Sequence, residues 1–132
     1  MRYMSFVISS NDVPPTPELM EAMGKLTERE VKAGRLLDMG ALMPIDKATR
    51  VTVRKGKLST TDGPFTEAKE VVGGFAVFEF ASREDAIAAA VEFMDLHKQF
   101  CPGWEGTCEM REIMSRDAQG GCGAQVGVSN AA

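Results

Sequence analysis

The chain has 132 residues, 44% of them hydrophobic and 26% charged, with a net charge of -4. That is enough for one domain with its own core, and the acidic balance argues against a nucleic-acid surface, which needs a basic stripe. No apolar run approaches the ~20 residues of a membrane span, and Met1-Arg2-Tyr3-Met4 is too short and too polar to open a signal peptide, so the expected setting is cytoplasmic, without nucleic-acid or membrane partners.

Residues 2–9 alternate as a strand. Met4, Phe6 and Ile8 share one face, and Tyr3, Ser5 and Val7 share the other, so both faces are substantially apolar. Residues 11–17 hold three prolines and form a loop. Thr16-Pro17-Glu18 starts a helix: Thr16 caps, Pro17 suits the first helical position, and Glu18 complements the dipole. Leu19, Met23 and Leu26 run down one side of it, and Gly34 stops it. A second strand is expected over residues 36–44, broken near Gly40.

Val51 and Val53 alternate with Arg50, Thr52 and Arg54. Lys55-Gly56 turns the chain, and Leu58 to Thr61 returns as the hairpin partner. The tight turn Asp62-Gly63-Pro64-Phe65 follows, then a charged run through Glu67, Lys69 and Glu70. Residues 73–80 are nearly all apolar, the mark of a central strand covered on both faces. Ser82 caps a second helix, whose predicted buried stripe is Ala86, Ile87, Ala90, Val91 and Met94. Residues 107–114 form the last strand. A domain over 1–114 is thus followed by a Gly- and Ala-rich tail over 115–132, expected to be flexible.

The order strand, helix, strands with a hairpin, strand, helix, strand is α+β: a ferredoxin-like antiparallel sheet with two helices on one face. Two helices cover only one face, yet the first and central strands are apolar on both. A second copy packed against the open face resolves this, so the expected partner is the chain itself, in a symmetric homodimer joined through the sheets.

Each residue with candidate chemistry also has a purely structural reading. Asp62 before Gly63 and Pro64 suits an Asx-type turn, and equally a general base or a polar ligand anchor. Glu67, Lys69 and Glu70 suit a solvated loop, or one of them turns in beside Asp62 and makes an acid–base pair. Phe65 and Trp104 either pack or line a pocket. Arg50 and Arg54 either solubilise a strand or meet an anion. His97 is the single histidine and reads as a helix residue at the edge of the apolar stripe. A metal site made of His97, Cys101 and Cys108 has no standard spacing and no fourth ligand. A Cys–His nucleophile pair lacks an orienting third group. The cysteines, with Cys122 in the tail, are odd in number and read as reduced thiols. Gly73-Gly74 opens a strand and not a helix, which excludes a phosphate-cradling loop. No metal and no cofactor is expected.

The stretch Asp62-Gly63-Pro64-Phe65 with Glu67, Lys69, Glu70 and Gly73-Gly74-Phe75 resembles the signature of the DGPF proteins, a branch of the YCII-related superfamily. Gly34-Arg35-Leu36-Leu37 through Gly40, Leu42 and Pro44 resembles the same family, and the likeness covers roughly residues 1–114. It implies a dimeric α/β barrel. The wider superfamily has a proposed histidine–aspartate pair, but Met23 stands about where that histidine would fall, so only Asp62 is carried over as a catalytic candidate. Some DGPF proteins resemble genomic partners of extracytoplasmic-function sigma factors. The expected function is binding of a small molecule near the turn, with Gly63, Pro64, Phe65, Glu67, Lys69 and Glu70 as ligand contacts and cofactor-independent acid–base catalysis at Asp62. The alternative is a non-catalytic ligand-sensing or regulatory module.

Overall fold

A computed structural model of the chain describes residues 1–65 and 70–115. The expectations for Glu67, for Lys69 and for the tail with Cys122 lie outside those residues. The described elements are β1 (Arg2–Ser9), α1 (Pro17–Lys32), β2 (Leu36–Ala41), a short 3-10 turn (Ile45–Lys47), β3 (Thr49–Arg54), β4 (Lys57–Asp62), β5 (Val71–Glu79), α2 (Arg83–Phe100) and β6 (Gly106–Glu112).

Four strands form one sheet in the order β2-β5-β1-β6, with every neighbouring pair antiparallel. With two helices as crossovers this is the ferredoxin-like outline expected from the element order. The two most apolar strands, β5 and β1, are the inner ones. β3 and β4 form a separate two-stranded sheet. Lys55 and Gly56 join them with φ of 51° and 77°, the positive pair that a type I′ hairpin turn requires.

Local chemistry explains the helix ends. The Thr16 hydroxyl accepts a hydrogen bond from the Leu19 amide at 3.1 Å, and Ser82 accepts one from Asp85 at 3.1 Å. Gly34, at φ 76°, lets the chain leave α1 in a left-handed step.

Both helices lie on the face of the sheet that carries Tyr3 and Ser5. The buried cluster is Tyr3, Phe80 and Ala86, with Phe78, Ala89 and Met110 packed against it. The predicted stripe on α2 needs correcting. Ala86 and His97 are buried, whereas Ile87 and Val91 are exposed. Apolar residues ring most of α2, so periodicity alone does not fix its orientation. Small Ala86 seated on Tyr3 and Phe80 turns the helix so that its next residue points outward. The second strand also ends earlier than expected, at Ala41, and Gly40 does not break it. Gly40 pairs with Phe75, whose ring passes so close that a Cβ at Gly40 would fall 2.7 Å from it.

The helices are joined to each other and to the sheet by buried Glu30. Its carboxylate takes two bonds from Arg35, at 2.9 and 2.5 Å, and one from Arg29 at 3.2 Å. Arg29 in turn grips Glu92 of α2 with two bonds, at 2.8 and 2.6 Å. The Arg35 bonds, and then those of Arg29, hold the Glu30 carboxyl below its ordinary 4.5 against the opposing effect of burial. A carboxyl lowered in the folded state contributes stability above its unfolded pKa and loses it as pH falls through the folded value. Glu30→Gln should therefore cost about 2 kcal/mol at pH 7. The gap between variant and native should close below pH 4.5 in urea unfolding series.

Candidate functional site

Between the two helices and the sheet lies a cavity of about 610 Å³. Its cause is the size of the side chains that meet there. β5 contributes Gly73, Gly74 and Ala76, β1 contributes Ser5 and Ser9, and α2 contributes Ala89 and Ala90. In the register these residues share one face: Ser5 pairs with Ala76 and Val7 with Gly74. Where a packed core would interdigitate large and small residues, small ones face one another. α1 supplies Leu19, Met23 and Leu26 as the roof. The rim lies between α1 and the edge strand β2, where Met20, Gly24 and Met39 line the cavity and are exposed.

The walls are mostly apolar, and the polar groups in them are few. Arg29, Glu30 and Glu92 reach the lining but are bonded to one another. Ser5 Oγ lies 3.4 Å from Cys108 Sγ. Burial pushes the Cys108 thiol up, and the Ser5 contact only partly offsets that. A nucleophilic cysteine needs the opposite shift. Cys101 donates to the Pro14 carbonyl at 3.5 Å, and Trp104 Nε1 donates to Ser9 Oγ at 3.3 Å. His97 is buried between the rings of Phe93 and Trp104, with centroids 4.7 and 4.5 Å away. The three residues weighed as metal ligands thus have three different protein partners.

The Asp62 turn stands elsewhere, and residues 62–65 do not line this cavity. Asp62 closes the β3–β4 hairpin opposite Thr49, whose hydroxyl donates to Asp62 Oδ1 at 2.7 Å. Asp62 is exposed, and its hydrogen-bond partner among the described residues is this neutral hydroxyl. Gly63 is pressed against the 3-10 turn. Its amide donates to the Ala48 carbonyl at 2.9 Å, and a Cβ there would fall 2.8 Å from the Asp46 carbonyl oxygen and 2.9 Å from that of Ile45. The Arg50 guanidinium sits 3.7 Å over the Phe65 ring. Pro64 and Glu70 are exposed.

Sequence reasoning placed Trp104 among possible pocket residues and set His97 at the margin. It set Ser5 on a strand face with Tyr3 and Val7, and gave neither Ser5 nor Ser9 a role in a site. A signal was present in the run of small residues at alternate strand positions, which read as strand periodicity and not as missing volume.

The turn's geometry has a direct test. Gly63→Ala should lose about 1–3 kcal/mol, because backbone atoms must move to admit the methyl group. Asp62→Asn keeps an acceptor for Thr49 and should stay within about 0.5 kcal/mol of the native protein. Chemical denaturation of both variants checks this.

Comparison with known proteins places the chain in a family. A family model, the YCII-related domain, matches residues 1–115. An uncharacterised protein of Rhizobium meliloti (strain 1021) is 30% identical over 69 residues, which is 52% of this chain and 56% of that relative. The match therefore spans little more than half the length of the curated relative. With the model covering the whole described sheet and both helices, the chain belongs to the YCII-related domain family.

Proposed function

We propose that this YCII-related protein binds a small, largely apolar molecule in the cavity between its helices and its sheet, and that it does so as a homodimer. The observation that carries the reading is the cavity itself. At about 610 Å³ it falls within the roughly 300–1,000 Å³ of small-molecule sites, and its mostly apolar walls with a few polar groups are those of such sites. Acid–base catalysis at Asp62 would need a second titratable group within hydrogen-bond reach; among the described residues its partner is the Thr49 hydroxyl. Binding is therefore the function that the observations favour.

The dimer rests on the opposite face of the sheet. There Met4 pairs with Val77 and Phe6 with Phe75, with Ile8 beyond them. The hairpin adds Val51, Val53 and Leu58 on one side, 68%, 69% and 75% exposed. A two-stranded ribbon with an uncovered apolar face is marginal by itself, and a second copy would cover both surfaces.

Trp104 lines the cavity and is the single tryptophan, so its fluorescence reports occupancy. Titration with 4-pentyltoluene should give a saturable change. Gly24 lies at the rim of the cavity, and nothing stands within 4 Å of where its Cβ would be. Gly24→Leu should raise stability by about 0.5–1 kcal/mol through helix propensity. It should also weaken probe binding roughly tenfold by closing the mouth. A variant that is stabilised yet binds unchanged would remove the cavity from the account. Light scattering should give twice the 14.3 kDa chain mass; a monomer would remove the dimer.

A further inference from the structure

We propose that His97 is the polar anchor of this cavity, and that its Nε2 accepts a hydrogen bond from a hydroxyl group on an uncharged aromatic ligand of the phenol class. This deepens the binding reading and rests on it.

The tautomer follows from the protein. His97 Nδ1 lies 3.0 Å from the Phe93 carbonyl oxygen, one helical turn back. A carbonyl can only accept, so Nδ1 carries the hydrogen, and in the Nδ1–H tautomer Nε2 is an acceptor. The ring cannot swing away easily, because Phe93 and Trp104 hold its two sides. Trp104 is held in turn by its bond to Ser9.

Nε2 is the end left over. Among the described residues nothing bonds to it, although His97 is only 7% exposed. No fully sealed side-chain nitrogen or oxygen among those residues lacks a partner, so Nε2 still reaches open space. His97 lines the interlayer cavity and also a second recess beside Lys98 and Gly106, and the proposed bond directs Nε2 into the cavity. An acceptor at the edge of an apolar cavity discriminates strongly. A ligand with a matching donor satisfies it, and a ligand without one leaves it dry and unpaired.

Three features of the lining narrow the ligand further. Ser9 accepts from Trp104 and retains its own hydrogen, so it offers a donor in the same lining. The Arg29 guanidinium is bonded to Glu92 and Glu30, which favours a neutral ligand over an anion. Phe78, Phe93 and Trp104, with Met23 and Met39, line the same space, and aromatic rings with thioether sulfurs suit a flat aromatic body.

The test uses 4-pentylphenol and 4-pentyltoluene, which share one shape and differ by a hydroxyl in place of a methyl. Trp104 fluorescence gives the affinity of each for the native protein and for His97→Phe, which keeps a flat ring and removes both nitrogens. The variant should lose about tenfold for the phenol and change less than twofold for the toluene. An equal loss for both probes, or no loss for the phenol, overturns the anchor while leaving the cavity reading intact. Failure of both probes to bind the native protein overturns both. A second measurement needs no variant. Because the chain has one histidine, its ring nitrogens can be followed by ¹⁵N NMR. The native protein should carry the hydrogen on Nδ1, and the Nε2 resonance should move with 4-pentylphenol and not with 4-pentyltoluene. A hydrogen on Nε2, or the same response to both probes, overturns the proposal.

Discussion

The two helices are pinned to each other near both ends of α1. At its start, the hydroxyl of Thr16 caps α1 and also donates to the Phe100 carbonyl at the close of α2. Toward its end, Arg29 grips Glu92 while Glu30 holds Arg35 at the entry to β2. Charge-assisted and bidentate bonds of this kind fix geometry as well as contribute energy. They set the separation of the helices independently of what fills the space between them. With the spacing fixed and small residues on three walls, the volume left over becomes a cavity. A sealed void of that size would be costly, but this one opens at the rim beside Met20, Gly24 and Met39.

The same economy of side-chain size acts at the turn, toward a different end. Gly63 admits two backbone carbonyls where a side chain would collide, and so seats the end of the hairpin on the 3-10 turn. Thr49 and Asp62 then close the last rung of the ladder. The hairpin that ends at this rung carries the apolar side made of Val51, Val53 and Leu58. The described residues of the turn do not line the cavity that His97 borders.

Within the cavity, polar groups are ordered by what they are bonded to. The ionised groups satisfy one another, the thiols are protonated or spent on carbonyls, and Trp104 is committed to Ser9. Such a lining suits recognition of shape together with one or two hydrogen bonds.

The sequence by itself determined the element order, the caps at Thr16 and Ser82, the stop at Gly34, the turn at Lys55-Gly56 and the inner position of the most apolar strands. All of these are local: a hydroxyl three residues before an amide, a glycine at positive φ, an alternation of period two. The family likeness was legible too, in the stretch from Asp62 to Phe75. Tertiary structure alone decided the rest. Which side of α2 faces inward depended on the fit of Ala86 against Tyr3 and Phe80, because a helix that is apolar nearly all round has no preferred stripe. The cavity depended on Ser5, Ala76, Gly74 and Ala89 meeting across three elements, and on pins between residues as far apart as Thr16 and Phe100. A missing volume belongs to no single segment. It exists only once the walls are assembled, and for that reason the cavity could not be read along the chain.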